Sequence, residues 1–263
     1  MIHHFFHLQK EKELVDLCSH FFIPPADLTR FGELVMDKAV NVNCVNVNLY
    51  SPLLLLCSHN KSDTLICIQT LLKRHSVDVS FQGPKHYNAL IAICSSYNGQ
   101  HLVEIVQLLL QRGIEIDAIE SESHWNALFA LCYVSRFGVT DVAQVVQVLL
   151  DAGADVNTKV KDGSNCLIAW SHHNHGHPDF IPVLRLLIQH GIDLSCTDDQ
   201  NRNALLIICE LYNGPGLLEI VRLLVKNHID VHLRDKSGRS VIEILENRSF
   251  HADSEIMLFL NGE

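Results

Sequence analysis

Residues 126–132 read NALFALC, and near-copies of this apolar heptapeptide return along the chain: NALIAIC from Asn88, NCLIAWS from Asn165 and NALLIIC from Asn203. SPLLLLC from Ser51 and SVIEILE from Ser240 are more distant versions. The six first residues stand at 51, 88, 126, 165, 203 and 240, in steps of 37, 38, 39, 38 and 37. Self-similarity at a fixed period of about 20–50 residues marks an array of stacked structural repeats.

A second pattern runs in phase with the first. LVEIVQLLLQRG (102–113), VAQVVQVLLDAG (142–153), FIPVLRLLIQHG (180–191) and LLEIVRLLVKNH (217–228) each follow one heptapeptide, and ICIQTLLKRH (66–75) is a weaker copy. Their apolar residues fall at helical spacing, as in Leu102, Ile105, Val106, Leu109 and Leu110. Short segments close each unit: IEID at 114–117, ADVN at 154–157, IDLS at 192–195 and IDVH at 229–232. Each unit therefore reads as helix, loop, longer helix and extended turn. Asn or Ser heads the heptapeptide because its side-chain oxygen accepts from free N–H groups of the first helical turn. The Gly of QRG, DAG and QHG supplies the left-handed residue that ends a helix. DG at 162–163 and SG at 237–238 suit tight turns that need positive φ.

The same pattern reaches both ends. KELVDLCSHF (12–21) aligns with SPLLLLCSHN, placing Cys18 in step with Cys57, Cys94, Cys132 and Cys209, and GELVMDKAVNVN (32–43) aligns with the second helix and turn. SEIMLFL (254–260) is expected to be a truncated second helix.

The unit resembles an ankyrin repeat, a turn plus two helices with T-P-L-H-x-A at the first helix. DAGADVNTKVKDGSNCLIAW (151–170) carries the resemblance most closely, which extends over about residues 12–260. It implies an all-α repeat solenoid of stacked helix-turn-helix ankyrin-like units joined by short β-hairpin-like turns. The expected boundaries are an N-terminal capping unit at 1–43, repeats at 44–80, 81–117, 118–157, 158–195 and 196–232, and a C-terminal capping repeat at 233–263. The sequence departs from the family in three ways. The period is near 38 rather than 33 residues. The motif Pro survives only at Pro52, and the motif His is replaced by Ile91, Phe129, Ile168 and Leu206. The extra residues fall between the helices, in CSSYNGQH (94–101), SHHNHGH (171–177) and CELYNGPG (209–216), where a first helix one turn longer, ended by Asn-Gly, would absorb them. Tetratricopeptide repeats, the rival helix-pair array, run at 34 residues and lack the D-V-N turn.

Composition agrees with a folded array. Apolar residues make up 48% and charged residues 19%, with 20 basic against 30 acidic side chains and a net charge of −10. With no Lys/Arg cluster, nucleic acid and anionic membranes are poor partners, since phosphate binding needs concentrated positive charge. The start, MIHHFFHLQK, lacks the design of a secretory signal, and no apolar run approaches the roughly 18 residues of a spanning helix. Nine cysteines, none in CxxC spacing, fit reduced thiols in the cytosol or nucleus, so the sequons at Asn60 and Asn247 carry no weight.

Residues with chemical potential have plainer readings. The cysteine column recurs once per repeat, at about the 10 Å spacing of packed helices, too far apart to share a metal whose Zn–S bonds are about 2.3 Å. The column reads as small buried filler. His172, His173, His175 and His177 could supply imidazole ligands, but their loop reads as exposed, made flexible by its Gly, and without a Cys or carboxylate to complete a set. GPG at 214–216 matches half of a dinucleotide fingerprint, but Glu219 stands at the third Gly position and no strand precedes it. No nucleophile–base set can be argued from a helix-pair array. The expectation is no catalysis, no cofactor and no metal.

What remains is surface. The family typically binds proteins through turn tips and first helices, and the tips here are diverse: FQGPKHY (81–87), AIESESHW (118–125), TKVKDGS (158–164), CTDDQNR (196–202) and LRDKSGR (233–239). Core positions repeat while tips vary, as expected where packing fixes the one and partners tune the other. Tyr87, Trp125 and Arg202 precede the first-helix Asn, and these residue types are enriched in binding hot spots. Covering the neighbouring turn is the alternative role for both aromatics. Lys159, Lys161, Arg234, Lys236 and Arg239 make the C-terminal tips basic, a seat for an acidic peptide unless simply solvated. The resulting expectation is a monomeric, non-catalytic scaffold or adaptor that binds other proteins or peptides. The alternative is a substrate receptor in a larger assembly such as a ubiquitin ligase, or a fragment of a toxin-like multirepeat polypeptide. Units that fill the chain from about residue 12 to its end favour the scaffold.

Overall fold

The computed structural model describes residues 2–19, 25–59, 63–134, 141–248 and 253–260. His20 and Phe21 of the first aligned stretch and the sequon at Asn60 lie outside the described residues. The described residues form helix pairs and no strand. In chain order these are α1 (Ile2–Ser19) and α2 (Pro25–Met36), α3 (Pro52–Ser58) and α4 (Thr64–Leu72), α5 (Ala89–Ser96) and α6 (Leu102–Gln111), and α7 (Ala127–Tyr133) and α8 (Val142–Asp151). They continue with α9 (Cys166–His173) and α10 (Phe180–Gln189), α11 (Ala204–Leu211) and α12 (Leu217–Lys226), and α13 (Val241–Glu246) and α14 (Asp253–Leu260).

Each heptapeptide is a short first helix, and its cap is the residue the sequence singled out. The side-chain oxygens of Ser51, Asn88, Asn165, Asn203 and Ser240 accept from the N–H of Leu54, Ile91, Ile168, Leu206 and Glu243. Asn does more than cap. The Nδ2 of Asn88 donates to Glu115 O at 2.9 Å, that of Asn165 to Asp193 O at 2.9 Å and that of Asn203 to Asp230 O at 2.8 Å. One side chain thus starts the first helix and pins the turn after the second, which Ser cannot do for lack of an amide. The Asn of the D-V-N turn ties one repeat to the next: Asn157 donates to Gly191 O at 3.1 Å and accepts from Asp193 N at 2.7 Å.

The helices differ in burial for a packing reason. From Ala89 to Cys94 and from Ala204 to Cys209 every residue of the first helix is buried, because neighbours surround it. Second helices bury one face only, as with Leu102, Ile105, Val106 and Leu109 of α6. The second helix ends where Gly113, Gly153 and Gly191 take positive φ, and His228 takes φ 66° where Gly is missing.

The chain divides into two compact units. Unit one comprises Met1–Ala127 with Gly138–Ala154, and unit two Leu128–Phe137 with Asp155–Glu263. In unit one α1, α3 and α5 stack in sequence as an inner layer, and α2, α4, α6 and α8 as an outer one. In unit two α9, α11 and α13 stack, with α10, α12 and α14 packed on their partners. Successive elements touch, as a repeat array requires.

Two expectations fail in the loops between paired helices. The extra residues do not lengthen the first helix by a turn: α5 stops at Ser96 and α11 at Leu211, each only two residues past its heptapeptide. The chain instead turns outward at Tyr97 and Tyr212 and folds their rings back as plugs, leaving Tyr97 1% exposed. A methyl group at Gly99 would overlap the Tyr97 hydroxyl, and one at Gly214 would sit 2.8 Å from the Tyr212 ring. The glycines are there because the rings are. The histidine loop is likewise not the exposed, flexible segment expected. Asn174 is buried, donating to Cys132 O at 2.7 Å, and buried His177 packs edge-on to Trp170 at 5.6 Å. Trp170, whose Nε1 donates to Phe180 O at 3.1 Å, stacks on the Phe180 ring at 6.1 Å between centroids.

Candidate functional site

The turn tips are hairpins, each with a backbone bond across its mouth: Asn46 N to Tyr50 O, Gly83 N to Tyr87 O, Glu120 N to Trp125 O, Val160 N to Ser164 O, Asp198 N to Arg202 O and Asp235 N to Arg239 O, all 2.9–3.1 Å. The residue two before each helix cap is left-handed in all six: Leu49, His86, His124, Gly163, Asn201 and Gly238. The next residue, Tyr50, Tyr87, Trp125, Ser164, Arg202 or Arg239, leads into the first helix. Within a unit the tips touch, Ser121 N donating to Lys85 O and Lys236 N to Gln200 O, both at 2.9 Å.

The two units use this common frame differently. In unit one the position before the cap is aromatic three times, Tyr50, Tyr87 and Trp125, and all three rings are half-buried. They line a cleft of about 730 Å³ with Asn46, Lys85 and Glu122 among the other walls. The Tyr87 hydroxyl is hydrogen-bonded to Ser95, and burial raises its pKa above the usual phenol range. Lys85 pairs with Glu122 across adjacent tips at 2.5 Å, while the Glu120 carboxylate accepts the N–H of Ser123 at 2.7 Å. The left-handed positions are held here by Leu49, His86 and His124, which lack the freedom of Gly. Leu49 is held by its tip: its N–H donates to Asn46 O at 3.0 Å, while the Asn46 side chain accepts from Asn48 N and Tyr50 N at 2.9 Å.

In unit two the same position carries Ser164 and then two cations already matched to anions. Arg202 reaches Asp198 at 2.7 Å and Glu210 at 2.8 Å, and Arg239 reaches Asp235 at 2.8 Å and Glu210 at 3.0 Å. Burial would raise the Asp198 pKa, but the Arg202 N–H, its guanidinium and the His172 ring outweigh burial and bring it below the ordinary value. A smaller cleft of about 300 Å³ lies beside this network, walled by Phe129, Tyr133, His172, Asp198 and Arg202. Lys159 pairs with Asp193 at 3.1 Å, whose carboxyl the Ser195 hydroxyl and Lys159 hold far below the usual range. Lys161 and Lys236 are exposed.

The family profile for ankyrin repeats in three copies matches residues 131–235. Residues 131–235 carry ankyrin repeats. A solved ankyrin repeat domain, that of Bcl-3, described as a unique member of the IkappaB protein family, superimposes with a TM-score of 0.60 at 20% identity, covering 88% of this chain and 93% of that one. At that identity the likeness shows the fold, an all-α ankyrin architecture. Comparison with curated proteins by sequence finds no match.

Ankyrin repeats are in general protein-interaction modules. Tyr87 and Trp125 come together in the unit-one cleft. Arg202 and Arg239 come together in the unit-two ion network, while Lys159 and Lys161 share one unit-two tip and Lys236 lies on another. Tyr50 completes the aromatic row in the same register, one residue before Ser51, a position the sequence expectation does not include. Reading the column before the cap through all six units would have found it. Among the described residues no three His, Cys, Asp or Glu side chains converge as metal ligands, His172–His177 included. No described helix is long and apolar enough to cross a membrane.

Proposed function

We propose that this chain is a non-catalytic interaction module, a scaffold or adaptor, that captures partner proteins on the tip-and-first-helix face of its ankyrin repeats. The observation that carries this reading is the Tyr50–Tyr87–Trp125 cleft, a concave site in which aromatic rings stand among polar and charged side chains able to orient a ligand. Half-buried tyrosine and tryptophan offer large contact area at small entropic cost. On the unit-two tips Lys161 and Lys236 offer exposed charge, while Lys159 is paired with Asp193. Arg202 and Arg239, already ion-paired, shape the face rather than supply free charge. Nine cysteines, none bonded to another, fit a chain that works in the reducing cytosol or nucleus.

The test is differential affinity purification with three baits: wild type, Tyr87→Ala/Trp125→Ala, and Lys159→Glu/Lys161→Glu/Lys236→Glu. Circular dichroism confirms that each bait is folded. The first variant is expected to lose specific partners that the wild type retains. Identical partner sets for all three baits would remove this face from consideration.

A further inference from the structure

The proposed binding face can be taken one step further, to the conformation and chemistry of what it holds. Three features of unit one coincide at the same register of successive tips. The aromatic row runs Tyr50, Tyr87, Trp125, one ring per repeat. The residue before each ring is left-handed without being Gly, and Leu49, with φ 62° and 60% exposed, is a genuine outlier for its type. A backbone held in a costly conformation beside a concave surface points to use of that surface. The first tip also sends Val47 fully into solvent, 97% exposed, next to the cleft-lining Asn46, Asn48 and Tyr50. In unit two the same register holds Gly163, Asn201 and Gly238, which take the conformation cheaply, and no aromatic ring.

Spacing selects among extended ligands. Helices packed side by side lie about 8–10 Å apart, so rings contributed one per repeat recur at that interval. A polyproline II segment rises about 3.1 Å per residue with three residues per turn, so every third side chain returns to one face after about 9.3 Å. A β-strand returns to one face every second residue, after about 6.6 Å, and falls out of step by the second ring. A helix satisfies its own backbone, whereas a polyproline II backbone makes no internal hydrogen bonds and can use the amides of Asn46 and Asn48 on the wall.

Charge sets the end. Glu120 and Glu122 flank Trp125, Lys85 offsets only one of them, and the chain as a whole stands at −10. With Glu122 paired to Lys85 and Glu120 held by the N–H groups of Glu122 and Ser123, the wall keeps one net negative charge, and a cation over the indole face gains from both the ring and that charge.

We propose that the unit-one cleft receives an extended polyproline II segment of a partner protein, proline or another apolar residue at every third position, with a basic residue at the Trp125 end. This rests on the interaction reading above and names its ligand.

The experiment pans a random twelve-residue peptide library on the folded full chain, with folded Trp125→Ala as counter-selection, then measures synthetic peptides by fluorescence anisotropy. The expected consensus is apolar or proline at i, i+3 and i+6 with Arg or Lys at one end. A nine-residue proline-rich peptide with leucine at every third position and one terminal arginine binds, and the same composition with leucine at every second position does not. Tyr87→Ala and Trp125→Ala each weaken binding about 30-fold. Glu122→Lys weakens the arginine peptide but not its glutamine counterpart. A consensus with alternating or helical period, an acidic consensus, or no enrichment overturns the proposal. Should a protein partner depend on Tyr87 and Trp125 while the period-three peptides fail, the ligand class is wrong and the binding face stands. Should neither respond to Trp125→Ala, the face itself falls.

Discussion

Replacing Asn165 separates the two duties that the recurrent Asn performs. Its side chain is fully buried, with Oδ1 accepting from Ile168 N at 3.1 Å and Nδ2 donating to Asp193 O at 2.9 Å. Asn165→Ala loses both. A lost N-cap costs about 1 kcal/mol and a lost internal hydrogen bond about another 1 kcal/mol, together about 2 kcal/mol. Asn165→Ser keeps a capping oxygen, as Ser51 and Ser240 do at the equivalent place, but has no amide for Asp193, so it loses about half as much. Urea unfolding followed by circular dichroism reads the difference. With a slope of about 2 kcal/mol per molar, the midpoint drops by about 1 M for Ala and about 0.5 M for Ser. Equal losses for Ala and Ser would show that capping contributes nothing, and a Ser variant as stable as wild type would show the same of the Asp193 bond. Either result refutes the dual role.

Three further outcomes follow from the packing. Leu128→Asp, in α7 with Leu128 only 1% exposed, removes a core side chain worth about 2–5 kcal/mol and buries a charge; it is expected to split the thermal transition or abolish folding, and a single transition at unchanged midpoint would contradict the packing. Gly99→Ala is expected to destabilise by about 1–3 kcal/mol through overlap with Tyr97, while Gly32→Ala, in α2 with nothing near its would-be methyl, stabilises by about 0.5–1 kcal/mol; the paired denaturation curves must move in opposite directions. The Asp198 pKa lies below its unfolded value, so its stabilising contribution is complete above about pH 4 and is lost as pH falls through the lowered value. Asp198→Asn therefore flattens the acid limb of the stability–pH curve, and an unchanged limb would show that the Arg202–His172 network stores no such energy.

How much of this was written legibly in the sequence differs by element. The first helices were plain because a seven-residue run apolar on every side has only one environment, between neighbouring helices. The caps were plain because Asn and Ser recur at one register. The Nδ2 bond to the turn was not, since no local pattern shows what lies 27 or 28 residues away. The inserted loops misled: Tyr-Asn-Gly appears at both Tyr97 and Tyr212, and a glycine that ends a helix reads the same as one that makes room for a ring. Positive φ was readable at Gly163 and Gly238 but not at Leu49, His86 or His124, whose side chains give no sign of it. The basic tip read as open charge at Arg239 because Asp235 four residues earlier gives no sign of folding back onto it, and Glu210 reaches it only when repeats stack.

The binding face is tested most directly by site-specific photocrosslinking. A benzoylphenylalanine replaces Tyr87 in the cleft or, as a control, the exposed Gln107 on the outer helix α6. Irradiation in a cell extract should give discrete protein adducts from position 87 that Trp125→Ala removes, and none of these from position 107. The same adducts arising from position 107, or adducts at 87 indifferent to Trp125, would contradict a partner held in the aromatic cleft.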